Sequence, residues 1–329
     1  MCYVYPAYDF GKEVSALLDT FLMTLSPMII VFFCIAIGFI LRKCNVLPEN
    51  AGTVLSRIEL FVFLPAQILC SFISNCTIAA LVEQSYVILC SCLAMALSFL
   101  IGIPLSKAFS KINNERKLYR FCLLFANYGM LGNAIIPQIM GDAALFSYLL
   151  FTLPMNVVVY AWAMNSLIPD EGEKKSVWKN FSNPVFISLL IGVALGLLNA
   201  GKWMPSVAVT MLQNLSACMG PVAMLLTGFI IGGYHIPSLL KNVRVYILTL
   251  MRLIVLPAVL VGVMWLLGMD RLTLVMTFFA YGSAMGLTAI IVPAAYGGDT
   301  TTGASMAMIG HVMCILTIPV MYTLLVHIL

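Results

Sequence analysis

The sequence alternates long apolar runs with short polar loops, a pattern that is typical of a chain that crosses a membrane several times. A helix needs about 20 apolar residues to span the hydrocarbon layer. By that length the chain contains ten predicted spans, five on each side of a hydrophilic linker at residues 168–183. We therefore predict an all-α polytopic membrane protein with two halves, residues 1–167 and 184–329. The predicted spans are 22–41, 53–73, 78–105, 121–140, 144–167, 184–199, 206–232, 243–267, 272–296 and 303–329.

The fourth predicted span is a poor continuous helix. From Asn127 to Pro137 it carries two asparagines, two glycines and a proline within eleven residues. In hydrocarbon, every backbone group that a break frees needs a partner inside the protein or water in a cavity. Secondary transporters build their substrate sites from such broken helices. The ninth span has a related segment from Gly286 to Pro293, so we predict two broken helices that cross near the middle of the membrane.

The two halves of the chain share a spacing of prolines and glycines. An odd number of spans in each half requires the second half to enter the membrane upside down. The pattern therefore predicts a 5+5 inverted repeat. The recurring pairs lie 156 or 157 positions apart: Pro27 with Pro184, Pro65 with Pro221, Pro137 with Pro293, and Gly141-Asp142 with Gly298-Asp299.

Composition supports the membrane interpretation. Hydrophobic residues make up 62% of the chain and charged residues 9%, whereas a soluble domain has about 25% charged residues. The net charge of +4 is small and spread over loops, which argues against a nucleic-acid partner. No metal-ligand spacing or catalytic motif is present in the sequence. We therefore expect no enzyme activity, no metal and no cofactor beyond a coupling ion.

The lysines and arginines predict the orientation of the chain, because such residues concentrate in cytoplasmic loops. If both termini are extracellular or periplasmic, 14 of the 17 basic residues lie on the cytoplasmic side. The three remaining basic residues are Lys12, Lys202 and Arg271. The linker at 168–183 is then cytoplasmic.

The fourth span also resembles the signature of a known family. Asn127-Tyr-Gly-Met-Leu-Gly132, followed by Gly141-Asp142, is similar to the Asn-Thr-Gly-Phe-x-Gly…Gly-Glu motif of the auxin efflux carriers. These are the plant PIN proteins and bacterial relatives described as malate or malonate permeases. Two positions depart from the family pattern, since Ala134 and Gly286 stand where proline is expected. Further similar segments are Gly38–Arg42, Val46–Glu49, Leu55–Pro65, Gly220–Gly228 and Leu316–Pro319.

The resemblance implies a ten-helix fold shared with bile-acid-type sodium symporters. In that fold, helices 1, 2, 6 and 7 form a scaffold, and helices 3–5 and 8–10 form a transport domain in which helices 4 and 9 cross. It further implies a homodimer and a place in a bacterial cytoplasmic (inner) membrane.

Asn127 and Asn133 are the first candidates for substrate contacts. Their amides donate hydrogen bonds to a carboxylate without carrying a charge that is costly in lipid. The positive ends of the half-helices beside each break also favour an anion. The alternative is that each asparagine only joins two helices. Weaker candidates for the substrate site are Gln67, Gly132, Pro137, Ser283, Thr288 and Pro293.

Four ionisable residues are candidates for coupling transport to H⁺ or Na⁺. Asp142 and Asp299 end the broken segments, where capping of the next helix is the alternative role. Glu59 lies in the second span, where an ion pair or a side chain that reaches to the interface is the alternative, as it is for Arg252. His311 lies within the last span, where a proton relay competes with a structural hydrogen bond.

These features predict a secondary active transporter of a small organic anion, a mono- or dicarboxylate such as malate, with the lipid bilayer as its surroundings. The transport domain would move against the scaffold in an elevator-type cycle of alternating access. Two alternatives stay open: a sodium-coupled symporter of the bile-acid type, and a membrane ligand sensor that does not transport.

Overall fold

A computed structural model describes residues 10–168 and 183–328 of the chain, and within these ranges every regular element is a helix. Seven of the described helices are long and apolar enough to cross a membrane, so the prediction of an all-α polytopic membrane protein is confirmed. The helices are α1 (Phe10–Lys43), α2 (Ala51–Asn75), α3 (Ile78–Phe109), α4 (Asn113–Leu124), α5 (Asn133–Met140), α6 (Asp142–Ser166), α7 (Pro184–Leu197), α8 (Ser206–Gly232), α9 (Val243–Leu266), α10 (Arg271–Gly282), α11 (Thr288–Ala295) and α12 (Thr301–Ile328).

The seven long apolar helices are α1, α2, α3, α6, α8, α9 and α12. Three of the predicted spans correspond to shorter pieces. The span at 184–199 is the 14-residue helix α7. The spans at 121–140 and 272–296 are each divided into two helices, α4 with α5 and α10 with α11.

Helix α4 begins at Asn113, eight residues before the predicted start of the fourth span. Its first two residues are exposed and the next three are half-buried, while Leu118 and Tyr119 are buried. A search for continuous apolar runs misses this beginning, because the first five residues, 113–117, are all polar or charged.

Several helix starts follow from short polar side chains in the preceding loop. The side chain of Asp270 accepts hydrogen bonds from the N–H groups of Leu272 and Thr273 at the start of α10. Asn183 caps α7 and Asn242 caps α9 in the same way. These caps satisfy backbone donors that the first turn of a helix leaves free.

Four described segments depart from α-helical to π-helical winding: Glu59–Phe63, Tyr128–Gly132, Val159–Ala163 and Met251–Val255. A π segment inserts one extra residue into a turn and is frequent at functional sites. Polar residues occur in all four segments, among them Glu59, Tyr160 and Arg252.

The largest cluster of buried apolar side chains is formed by α3 to α6 and α9 to α12. Only Met28 and Val31 of α1 and Ala223 and Met224 of α8 join it. A second cluster links α2 and α7 to one side of α6. A third cluster joins Leu226 and Ile231 of α8 to α11 and α12. The largest part of the core therefore lies within α3 to α6 and α9 to α12, and α1, α2, α7 and α8 contribute few of its buried side chains.

Helices α1 and α8 approach each other through glycines. A Cβ atom on Gly228 would overlap the carbonyl oxygen of Ile35, and one on Gly38 would overlap the carbonyl oxygen of Leu225. Small residues let two backbones come close in a membrane, where packing replaces the hydrophobic effect as the force between helices.

We expect Gly228→Ala to lower the free energy of unfolding by about 1–3 kcal/mol, because the added methyl group forces α1 and α8 apart. The matched control is Gly262→Ala in α9, where an added Cβ meets no atom within 4 Å. Thermal unfolding in detergent compares the two variants. Equal melting temperatures would contradict the close approach at Gly228.

Candidate functional site

The two divided segments touch where each is broken. Helix α4 gives way to extended backbone at Phe125, and α10 gives way to extended backbone at Ser283. The backbone N–H of Asn127 in the first break donates a 2.7 Å hydrogen bond to the carbonyl oxygen of Ala284 in the second. The breaks therefore satisfy one of their freed backbone pairs with each other.

Three side chains from other helices satisfy carbonyl groups of the first broken segment. In a continuous helix the Leu123 carbonyl would accept from the Asn127 N–H, but that N–H is used by Ala284. Arg252 of α9 replaces the missing donor with a 3.1 Å hydrogen bond to the Leu123 oxygen. The other two donors are Tyr148 of α6, to the oxygen of Tyr128 (3.2 Å), and Gln67 of α2, to the oxygen of Asn133 (3.1 Å).

A cavity of about 380 Å³ opens beside the crossing. Its wall includes Asn133 and Thr288, which are the first residues of α5 and α11. The π segment Tyr128–Gly132 runs directly into α5, and its first residue, Tyr128, also lines the cavity. The positive ends of both helix dipoles, at Tyr128 and Thr288, therefore lie at the cavity. Its polar lining comprises Ser56, Glu59, Asn127, Tyr128, Asn133, Thr152, Asn156, Tyr160, Asn183 and Thr288.

Asn127 lines the cavity on one side and contacts His311 of α12 on the other. Its Nδ2 atom lies 3.3 Å from Nε2 of His311, whose Nδ1 lies 2.7 Å from the carbonyl oxygen of Ala307. Both ring nitrogens of His311 are thus engaged in hydrogen bonds within the protein. His311 does not itself line the cavity.

Asn133 is 3% exposed, and its Oδ1 has no hydrogen-bond partner among the described residues. An unpaired buried oxygen of this kind is uncommon and costs free energy. Gln67 holds the Asn133 carbonyl from α2 but is not part of the cavity wall.

Glu59 lies in the π segment of α2, is 1% exposed and forms part of the cavity wall. Neither of its carboxyl oxygens has a hydrogen-bond partner among the described residues. The alternative of an ion pair or a side chain that reaches to the interface is therefore wrong for Glu59.

Arg252 is also buried, at 1% exposure, and it does not reach to the interface. Its guanidinium lies 5.7 Å from the centre of the Tyr281 ring, besides its hydrogen bond to the α4 carbonyl. In the described part of the chain no carboxylate pairs with it. The expected ion pair or interfacial position is thus wrong here too, because the break in α4 creates an acceptor that only a buried donor reaches.

Besides Gln67, four more predicted substrate residues lie away from the cavity wall. Gly132 packs so tightly against the Tyr148 hydroxyl that a Cβ would overlap it, and Ser283 donates to the carbonyl oxygen of Phe279. Pro137 and Pro293 lie within α5 and α11, after the breaks rather than at them.

The two aspartates that follow the broken segments are exposed and do not line the cavity. Asp142 is the first residue of α6 and forms no side-chain cap. Asp299 accepts a 2.9 Å hydrogen bond from the N–H of Thr301 at the start of α12.

Sequence reasoning missed the face that α6 presents to the cavity. Thr152, Asn156 and Tyr160 all line it, and the Tyr128 hydroxyl donates to Oδ1 of Asn156 at 2.9 Å. The signal was present in the sequence, since polar residues at spacings of four fall on one side of a helix.

The described residues contain no group of three or more histidine, cysteine or acidic side chains that could hold a metal ion. A family model described as "Membrane transport protein" matches residues 23–322, which is most of the chain. No curated protein matches the chain.

The packing of Gly132 on Tyr148 makes a testable pair. We expect Gly132→Ala alone to lower stability by about 1–3 kcal/mol through overlap with the hydroxyl. Tyr148→Phe should cost about 0.5–1.5 kcal/mol for the lost hydrogen bond to Tyr128. The double variant should lose less stability than the sum of the two losses, because the nearest overlap, with the oxygen, is gone while two ring carbons still lie close. Strictly additive shifts in unfolding would contradict this contact.

Proposed function

The chain belongs to the auxin efflux carrier family of membrane transport proteins, and from that premise we propose that it is a secondary active transporter of a small organic anion. The observation that carries this proposal is the contact between the two broken segments, through Asn127 and Ala284, at the wall of a cavity. Transporters place their cargo at such breaks because the freed backbone and helix ends provide polar groups without full charges.

The chemistry of the wall supports an anion. Asn133 and Thr288 bring neutral donors to one space, and the helix starts at Tyr128 and Thr288 bring positive dipole ends to it. The cavity volume of about 380 Å³ lies within the usual range for small-molecule sites, about 300–1,000 Å³. A mono- or dicarboxylate of the size of malate fits these properties.

We further propose that ten membrane spans form two inverted halves. In support, Asn127 and Ala284 stand 157 positions apart, and the recurring proline and glycine pairs stand 156 or 157 apart. Equivalent residues of the two halves thus meet in one hydrogen bond. The fold is then of the bile-acid-symporter type.

The largest part of the core lies within α3 to α6 and α9 to α12, which supports an elevator-type cycle in which these helices move against α1, α2, α7 and α8. Ser56, Met164 and Asn183 line the cavity next to loops that the lysine bias assigns to the cytoplasm. The state described here would therefore face inward, with both termini outside.

The surroundings would be a bacterial cytoplasmic membrane, and the assembly would be a homodimer.

Glu59 is the coupling residue that the geometry favours. It is the one acidic side chain among the described residues of the cavity wall, and an unpaired buried carboxylate is costly unless a proton or cation offsets it. The second candidate function is a sodium-coupled symporter of the bile-acid type, because the same unpaired carboxylate of Glu59 could be offset by Na⁺. Asp142 and Asp299 are exposed away from the cavity, and His311 is engaged behind Asn127.

The cargo site is tested with purified protein and a panel of carboxylates that includes malate. A bound ligand should raise the melting temperature. At a free-ligand concentration 100 times the dissociation constant, the free energy of unfolding should rise by about 2.7 kcal/mol. Asn133→Ala should weaken binding about tenfold, because one hydrogen-bonding group is lost. Asn75→Ala is the control, since Asn75 bonds the Ser71 carbonyl and lies outside the cavity wall. Equal losses in both variants, or no shift with any carboxylate, would count against the site.

The coupling role of Glu59 is tested by uptake into proteoliposomes under an imposed proton or sodium gradient. Glu59→Gln keeps the size of the side chain and removes its charge, so the cargo should still bind while uptake no longer responds to the gradient. Asp142→Asn is the control, and it should respond as the unmodified protein does. A Glu59→Gln protein that still follows the gradient would exclude this role.

A further inference from the structure

The orientation of the Asn127 amide is set by the histidine behind it. Nδ1 of His311 lies 2.7 Å from the carbonyl oxygen of Ala307. A carbonyl oxygen only accepts hydrogen bonds, so the proton of the neutral ring is on Nδ1. Nε2 is then an acceptor.

An acceptor at Nε2 requires a donor from Asn127. The amide atom 3.3 Å from Nε2 is therefore the nitrogen, which donates one of its N–H groups, and the carbonyl oxygen Oδ1 is turned away from His311. This assignment follows from the hydrogen-bond network rather than from the shape of the amide, whose two ends are alike in size.

Oδ1 of Asn127 points toward the second break. It lies 3.5 Å from the position that a Cβ atom on Gly286 would occupy, and both Asn127 and Gly286 line the cavity. Because Gly286 has no side chain, nothing from that residue covers the oxygen. The crossing therefore presents a fixed hydrogen-bond acceptor to the cargo.

We propose that the cargo carries a hydrogen-bond donor, such as a hydroxyl group, beside its carboxylate, and that His311 is the positioning residue that sets this requirement. The inference rests on the proposed anion-carrying function and adds the chemical class of the anion, a hydroxy acid. The carboxylate is held by the donors at the starts of α5 and α11, and the hydroxyl donates to Oδ1 of Asn127.

A site built to accept a hydrogen bond discriminates against molecules that cannot donate one, because its polar atom is left unpaired. Three probes separate the cases: malate has the hydroxyl, succinate lacks it, and methoxysuccinate offers an oxygen that only accepts. Malate should bind about tenfold more tightly than succinate. Methoxysuccinate should bind more weakly than either, because its methoxy oxygen and Oδ1 of Asn127 are both acceptors and repel each other.

Binding of the three probes to the unmodified protein, measured by calorimetry, is the first arm of the test. Equal affinities for malate and succinate, or tighter binding of methoxysuccinate than of malate, would overturn the inference while leaving anion binding intact. If none of the three binds and other carboxylates also fail, the proposed function itself is at fault.

The second arm uses His311→Phe, which keeps a planar ring and removes the acceptor nitrogen. The amide is then free to turn its N–H groups toward the cavity, so the preference for malate over methoxysuccinate should fall to about twofold or less. If His311 had only a packing role, all three affinities would fall together and the preference would stay, which would overturn the inference.

Gly286→Ala gives a second variant that does not depend on replacing the buried histidine. Its added methyl group meets Asn127 at ordinary contact distance and covers Oδ1. The variant should therefore lose the advantage of malate over succinate and keep its affinity for succinate. An unchanged advantage for malate would contradict the position of the oxygen.

Discussion

The fold depends on the requirement that backbone groups freed within the membrane find partners inside the protein. A break in a helix leaves carbonyl and N–H groups that hydrocarbon cannot hydrate. The first broken segment is therefore held by donors from three separate helices and by the second break. These contacts are Arg252 with the oxygen of Leu123, Tyr148 with that of Tyr128, Gln67 with that of Asn133, and the N–H of Asn127 with the oxygen of Ala284.

The same requirement explains Arg252, and the three polar residues that interrupt apolar helices share π winding. Arg252 lies in a π segment of α9, Tyr160 in one of α6, and Glu59 in one of α2. The extra residue of a π turn shifts which side chains face inward. Arg252 contacts the Leu123 carbonyl, and Tyr160 and Glu59 line the cavity. Regular α-helical winding would turn these side chains in other directions.

Much of this could be predicted from the sequence, because apolar length and proline and glycine positions are local signals. The broken segments, and the polar residues Asn127, Asn133 and Thr288 at the cavity, follow from such signals. The buried places of Arg252 and Glu59 do not, since they depend on π winding and on acceptors contributed by distant helices. Pro137 and Pro293 did not locate the breaks, because each lies inside a helix and the extended backbone begins earlier, at Phe125 and Ser283.

The hydrogen bond between Asn127 and Ala284 joins two backbone atoms, so no replacement other than proline at position 127 deletes either partner. The contact between the two breaks is thus kept when the side chains that line the cavity change. Over evolutionary time, side chains at the wall can be exchanged one by one while the junction persists. A lineage built on this crossing can therefore change what it carries without reinventing how it carries it.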